Sequence, residues 1–111
     1  MILTELLEHP ELRITPLTGP FQRPVAGGYV SDLLSDVLAN ARPGNLWVTI
    51  QVNRNVAAVA SLQELSAVLI ANDRQPQEDL LDLARDQGLT VMRTPLTTYE
   101  VVGRLYALGV R

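Results

Sequence analysis

The chain has 111 residues, 47% of them hydrophobic, and a formal net charge of −3. This length suits one domain with one sheet or bundle at its centre and is too short for two independent cores, so we treat residues 1–111 as a single domain. All nine basic residues are arginine and cysteine is absent, which excludes disulfides, zinc–thiolate sites, thiolate catalysis, a P-loop lysine and a lysine Schiff base.

The charges and the apolar runs also bear on partners and location. The arginines are scattered along the chain and build no basic stripe, which disfavours nucleic-acid binding. The longest apolar runs, at residues 56–60 and 67–71, fall far short of the roughly 20 residues that cross a bilayer. Residues 1–8 carry two acids and no leading positive charge, unlike a signal peptide. We expect a cytoplasmic protein with neither a membrane nor a nucleic-acid partner.

The first part of the chain alternates helical and irregular patterns. Residues 1–8 place apolar side chains on one helical face, which His9 and Pro10 end. Residues 12–24 are rich in proline and indicate turns and short extended pieces. Residues 25–30 could form a strand interrupted by two glycines, and residues 31–41 repeat leucine and valine at helical spacing.

From Leu46 onward the pattern becomes regular. Three strands are predicted at residues 46–52, 67–71 and 90–94, and three helices at 55–65, 77–87 and 97–108. Gly88 ends the second of these helices, and Thr97 with Glu100 forms a capping box at the start of the third. Strands that alternate with helices of about eleven residues indicate an α/β fold with a mainly parallel sheet sandwiched by helices.

In such a sheet, ligands collect beyond the carboxyl ends of the strands. Four polar or glycine-rich segments follow or interrupt apolar strands and are expected to meet there: residues 27–29, 51–55, 72–74 and 93–94. The candidate ligand-binding residues are Arg23, Gly27, Gly28, Tyr29, Gln51, Asn53, Asn55 and Asn72. We hypothesise that they hold a nucleotide or another phosphorylated metabolite.

Each candidate also has a structural interpretation. The glycine pair could expose backbone N–H groups to a phosphate, or could serve a tight turn or bulge. Asn55 could hydrogen-bond a base or a sugar, but suits the N-cap of the helix that begins at Val56. Asn72 with Asp73 fits a strand-to-helix turn.

Catalytic residues are not recognisable. His9 is the only histidine and lies at a helix end, and the serines have no evident histidine or lysine to activate them. Asp32 and Asp36 lie one helical turn apart and could bind magnesium, although a solvated helix face explains them as well. The dinucleotide fingerprint and the P-loop motif are both absent. We therefore expect no enzyme activity, no metal site and no cofactor.

Two segments carry a resemblance to a known family. Residues 22–37 read QRPVAGGYVSDLLSDV, and WVTIQ at 47–51 is followed by NVAAVA at 55–60. The first resembles the signature of DRTGG domains, with Gln22 where the motif has aspartate, and the second resembles that family's later block. The resemblance implies a fold similar to the amino-terminal domain of HPr kinase/phosphorylase, whose kinase chemistry belongs to a separate P-loop domain.

Two functions follow as hypotheses. The resemblance implies a regulatory or structural domain, found beside CBS pairs or as a stand-alone protein and often at an oligomer interface. The first hypothesis is a non-catalytic regulatory domain that binds a small anionic metabolite or nucleotide at the carboxyl edge of its sheet. The alternative is a pure interaction module, a homodimer that could also dock on an enzyme or on a CBS-domain partner.

Overall fold

The computed structural model describes all residues from Met1 to Arg111 and is built around one five-stranded sheet. The strands are β1 (Thr15–Thr18), β2 (Gly28–Val30), β3 (Leu46–Thr49), β4 (Ala67–Ile70) and β5 (Val91–Arg93). Their order across the sheet is β1-β5-β4-β3-β2. The strands β2 to β5 are parallel, and β1 pairs with β5 in the antiparallel sense. The predicted α/β class with a mainly parallel sheet is confirmed.

Helices cover both faces of the sheet. They are α1 (Leu3–Leu7), α2 (Leu34–Asn40), α3 (Asn55–Leu62), α4 (Glu78–Gln87) and α5 (Thr98–Ala107), with a 3₁₀ turn at Pro10–Leu12. The helices α2, α3 and α4 share one hydrophobic cluster with one face of the sheet. The helices α1 and α5 share a second cluster with the other face. None of these helices is long and apolar enough to span a bilayer.

The two cores follow from the alternation of side chains along each strand. In β3, Trp47 enters the core of α2 to α4, whereas Leu46 and Val48 enter the core of α1 and α5. Every residue of β3 and β4 is buried, as expected for parallel strands that are covered on both faces.

Several helix ends are those that the sequence indicates. Gly88 ends α4 in the left-handed conformation, with φ of 64°. At the start of α5, the Glu100 N–H donates to Thr97 Oγ1 at 3.2 Å, and the Thr97 N–H donates to Glu100 Oε1 at 3.3 Å. Both predicted caps are confirmed.

Other boundaries differ from the sequence-based expectation. Residues 12–24 were expected to be turns and short extended pieces, and they contain the paired edge strand β1. The helix α2 begins at Leu34 instead of residue 31 because Asp32 is hydrogen-bonded to β3: its Oδ1 accepts from Thr49 Oγ1 and from the Ile50 N–H, both at 2.9 Å. Asn55 is the first residue of α3 and not its N-cap, because Asn53 Oδ1 accepts the Asn55 N–H at 2.9 Å.

The topology has a consequence for ligand binding. The four parallel strands follow each other across the sheet in chain order, and α2, α3 and α4 all lie on one face. Crevices at carboxyl edges open where the strand order reverses, so that neighbouring connections leave the sheet in opposite directions. No reversal occurs between β2 and β5, and the carboxyl edge therefore lacks that kind of crevice.

Candidate functional site

The structure separates the predicted site residues into two groups at opposite edges of the sheet. Gly28 is the first residue of β2 and pairs with Leu46, the first residue of β3, so the glycine pair lies at the amino edge. Gln51, Asn53, Asn55 and Asn72 follow β3 and β4 and lie at the carboxyl edge. The prediction that Gly27 and Gly28 join these residues is wrong because the strand begins at the glycines instead of ending there.

Gly27 has a structural explanation of its own. Its φ is 95°, a backbone conformation that side chains other than glycine rarely adopt. A Cβ atom there would lie 3.3 Å from the Asn45 amide and from the Arg111 carbonyl oxygen. Asn45 in turn donates to the Ala26 carbonyl at 2.8 Å. The glycine therefore allows a tight entry into β2 beside Asn45.

Arg23 also lies at the amino edge, in a cleft of about 430 Å³. Its guanidinium donates to the Gly88 carbonyl at 2.8 Å and to the Leu65 carbonyl at 3.4 Å. These carbonyls follow the ends of α4 and α3, where the helix dipole is negative, and the carboxylate of Glu64 lines the same cleft. The arginine thus binds backbone acceptors of the chain, and its surroundings do not favour an anion.

Tyr29 is joined to the first turn of α2. Its hydroxyl donates to Asp36 Oδ2 at 2.7 Å, and Asn40 Nδ2 donates to Asp36 Oδ1 at 2.8 Å. The hydrogen bond to the carboxylate raises the pKa of Tyr29 above its ordinary value. The same bond, with smaller contributions from Ser31 and Asn40, lowers the pKa of Asp36. Asp32 and Asp36 therefore have separate partners and do not form a carboxylate pair.

This lowered pKa predicts an acid-dependent contribution to stability. An aspartate with a depressed folded pKa stabilises the fold fully above its unfolded value of about 3.9, and the contribution is lost as the pH falls through the folded pKa. The difference in melting temperature between the wild type and Asp36→Asn should accordingly shrink as the pH falls below about 4. Thermal unfolding over the acid range measures it, and a difference that stays constant through this range would contradict the assignment.

At the carboxyl edge, the polar side chains bind mostly to each other. Gln51 Nε2 donates to the Asp32 carbonyl at 2.9 Å, and Asn53 Nδ2 approaches Gln51 Oε1 at 3.5 Å. The next loop is tied to this one, since the Gln77 N–H donates to the Val52 carbonyl at 2.9 Å. Asn72 is exposed and left-handed, with φ of 63°. The sequence-based turn interpretation of Asn72 is confirmed.

The same edge retains unused hydrogen-bond donors. The backbone N–H groups of Val52, Asn53 and Arg54 have no acceptor within the chain. They precede α3, whose first turn contains no acidic residue. Arg54 is exposed and forms no ion pair, whereas Arg93 pairs with Asp73 at 3.0 Å. This short segment is the part of the carboxyl edge that could receive an anion.

The largest groove of the molecule lies elsewhere, between β2 and α5. It has a volume of about 720 Å³ and is lined by Val30, Thr98, Tyr99, Val102, Gly103 and Tyr106. We call these residues the β2–α5 surface. Tyr99 is 90% exposed, Tyr106 58% and Val30 45%, although all three side chains are largely apolar. Single exposed apolar residues are ordinary, but a continuous group of them indicates a surface that binds another molecule.

Gly103 forms the floor of this surface. It lies inside α5, where glycine costs about 1 kcal/mol relative to alanine. A Cβ at this position would meet no atom within 4 Å, so packing within the chain does not require a glycine. The missing side chain leaves a flat space between the two tyrosines.

The two edges of the sheet differ in how they are protected. The edge strand β1 contains Pro16 and a register shift between Pro16 and Thr18, two features that discourage pairing with another strand. The edge strand β2 consists of Gly28, Tyr29 and Val30 and has neither proline nor charge. An unprotected edge of this kind is a template for a further strand.

The sequence analysis did not identify the β2–α5 surface. Tyr99, Val102 and Tyr106 recur at helical spacing, but Val101 and Leu105 of the same helix form its buried side. The helix therefore has two apolar faces, although one is enough to pack on the sheet. The second apolar face is the sequence feature that could have identified this surface. No group of three or more histidine or acidic side chains is placed to hold a metal ion.

Comparisons with known proteins agree with the geometry of the fold. The DRTGG domain matches residues 30–108 of the chain. The structure is similar to that of the CBS and DRTGG domains of the regulatory region of Clostridium perfringens pyrophosphatase, solved with the activator diadenosine tetraphosphate. The TM-score is 0.69 at 14% identity, and the match covers 91% of this chain and 44% of that one, so this chain spans less than half of the structure it resembles. No curated protein sequence matches the chain.

Proposed function

Since the chain belongs to the DRTGG domain family, we propose that it is a non-catalytic regulatory domain that works by binding another polypeptide on its β2–α5 surface. The observation that carries this proposal is a continuous apolar group beside an unprotected strand edge, made of the exposed Val30, Tyr99 and Tyr106 and the half-buried Val102. Aromatic side chains in a flat apolar setting are the residues that contribute most to binding between proteins.

Charge supports the same choice of surface. The residues that line the groove include no acidic side chain, although the chain as a whole carries a net charge of −3. Arg111, whose guanidinium lies 4.7 Å from the centre of the Tyr106 ring, is the charged residue at its margin. A neutral surface on an acidic molecule can be covered without burying a carboxylate.

Photocrosslinking in cells that make the protein tests this proposal. A photoreactive residue at position 99 should yield adducts of defined mass, whereas the same residue at position 62 should not. Leu62 is a matched control because it is 72% exposed and lies in α3, outside the β2–α5 surface. Equal adduct patterns from the two positions would contradict the proposal.

A second candidate function is the binding of a phosphorylated metabolite at the carboxyl edge. It retains Gln51, Asn53, Asn55 and Asn72 from the sequence-based site and leaves out Arg23, Gly27, Gly28 and Tyr29. The observation in its favour is the run of three free N–H groups before α3, beside the unpaired Arg54. Membership of the family does not by itself show that this chain binds a nucleotide.

Thermal unfolding with inorganic phosphate and a panel of nucleotides tests this second function. A ligand at 100 times its dissociation constant stabilises the fold by about 2.7 kcal/mol, which raises the melting temperature of a domain this size by roughly 10 °C. The variant Arg54→Ala should lose most of the shift, and Arg85→Ala, on the body of α4, should keep it. A flat response across the panel would contradict carboxyl-edge binding.

A further inference from the structure

We infer that the polypeptide bound at β2 is a second copy of this chain, paired antiparallel through β2 about a two-fold axis at Tyr29. This inference rests on the proposed function and names its partner. The pairing would join two five-stranded sheets into one sheet of ten strands and place the two α5 helices on the same face, next to each other.

The directions of the backbone groups define this pairing. The Gly27 carbonyl accepts the Leu46 N–H at 2.9 Å, and Gly28, Tyr29 and Val30 are in register with Leu46, Trp47 and Val48. Because N–H and C=O groups alternate in direction along a strand, those of Tyr29 point toward β3. Those of Gly28 and Val30 therefore point outward, where no strand of the chain follows.

An axis at Tyr29 uses all of these outward groups. It sets Gly28 opposite Val30 of the second copy, and Val30 opposite the second Gly28. Each of these two pairs exchanges two N–H···O=C bonds, which gives about four in total for an antiparallel pair of this kind. An axis at Gly28 or at Val30 would form fewer bonds from the same three-residue strand.

Two properties of the surface bear on the affinity of this dimer: its charge and its area. The groove that the two copies share contains no acidic side chain, and the Asp36 carboxylate near the axis is hydrogen-bonded to Tyr29 and Asn40 of its own copy. A tyrosine side chain offers on the order of 200 Å², so Tyr99 and Tyr106 at their observed exposures present roughly 300 Å² per copy. With the paired strands added, the buried area is at the low end of specific interfaces, and we expect dissociation in the micromolar range.

Analytical ultracentrifugation gives the first test. The wild type should change from a 12.2 kDa species toward twice that mass as the protein concentration rises from low to high micromolar. Val30→Pro removes an outward N–H from each copy and no bond to β3, so it should weaken the dimer about 30-fold or more while the melting temperature of the monomer is nearly unchanged. Leu62→Ser should leave the dimer intact. A single 12.2 kDa species at all concentrations would overturn the inference.

Single cysteines test the register, because the native chain contains none. In an antiparallel pair, facing residues that do not hydrogen-bond to each other have Cα atoms about 4.5 Å apart, a distance that a disulfide can span. The two Tyr29 residues would form such a pair. Tyr29→Cys should therefore form a disulfide-linked dimer rapidly. Val30→Cys should not, because residue 30 of one copy faces residue 28 of the other and lies two residues away from residue 30 of that second copy. Equal crosslinking rates for the two variants would overturn the axis at Tyr29.

A mixed experiment covers the case in which Tyr29→Cys fails to fold after losing its bond to Asp36. Gly28→Cys and Val30→Cys should each crosslink slowly alone and readily when mixed, because position 28 faces position 30. A Cβ at Gly28 meets its nearest neighbour, Val110, at an ordinary 3.5 Å. Mixed crosslinking no faster than that of either variant alone would overturn the inference.

The outcomes separate this inference from the function on which it rests. If position 99 photocrosslinks to a different protein while the purified chain stays monomeric, the surface binds a partner and the second copy is excluded. If position 99 behaves like position 62 and the chain stays monomeric, both proposals fail.

Discussion

Replacing Trp47 with alanine is expected to lower the free energy of unfolding by about 3–5 kcal/mol, the largest loss from any single substitution considered for this chain. Trp47 is fully buried in β3 and packs in the core that the sheet shares with α2, α3 and α4. Its indole Nε1 also donates to the Ser31 carbonyl at 2.8 Å, which ties the residue after β2 to the sheet. The free energy of unfolding of a small domain is about 5–15 kcal/mol, so this loss is a large share of the total.

Urea unfolding measures the effect, and Trp47→Phe is the matched control. Phenylalanine retains an aromatic ring but loses the N–H donor and part of the volume, and its cost should be about 1–2 kcal/mol. A loss near 1 kcal/mol for the alanine variant would show that the core beneath α2 collapses around the missing ring, contrary to the packing described above.

The substitution Thr18→Val is expected to cost about 2–4 kcal/mol, although it hardly changes the shape of the side chain. Thr18 is buried at the bulge of β1, where its Oγ1 donates to the Leu89 carbonyl at 2.8 Å and accepts the Val91 N–H at 2.9 Å. Valine would leave the Leu89 carbonyl and the Val91 N–H buried without a partner, at about 1–3 kcal/mol each.

Thr18→Ser separates the hydroxyl from the methyl group in this experiment. Serine keeps both hydrogen bonds and loses a methyl group, at a cost of about 1 kcal/mol. Urea denaturation should therefore rank the wild type above serine and serine above valine. A valine variant as stable as the serine variant would mean that the bulge does not depend on the hydroxyl.

The regular part of the fold could be predicted because its signals are local. The strands β3 and β4 are uninterrupted apolar runs, Gly88 marks the end of α4, and Thr97 with Glu100 marks the start of α5. The strand β1 was not predicted as a strand because its pairing partner is β5, far along the chain, and because Pro16 and a bulge disguise its alternation. Such long-range pairing leaves no periodic pattern in the strand itself.

The site was predicted less well, for two physical reasons. Gly27 and Gly28 were assigned to the end of a strand, but β2 begins there, and a strand of three residues gives too little pattern to define its direction. The β2–α5 surface was missed because Tyr99 and Val102 are apolar residue types that usually lie in a core. Only the tertiary structure shows that the 3₁₀ turn at Pro10–Leu12 and β3 already cover the other side of α5. The carboxyl-edge role of Asn53, Asn55 and Asn72 stays a prediction, as does the cytoplasmic location.

The unequal protection of the two sheet edges connects the fold with the proposed function. In β1, a proline and a bulge discourage pairing with a further strand, whereas β2 has no such feature. Beside β2 lie two exposed tyrosines and a glycine of α5 that packing within the chain does not require. Association at this edge gives each of these features a role.

Hydrogen exchange of the Val30 amide tests this central claim most directly. The Val30 N–H points away from β3, so in the isolated chain it should exchange within seconds, like an amide of an open edge. If β2 is covered as proposed, its exchange should slow by at least about tenfold as the protein concentration rises through the micromolar range, while the amides of β4 are unaffected. Rapid exchange of Val30 at every concentration, with its cellular partners present or absent, would contradict the account.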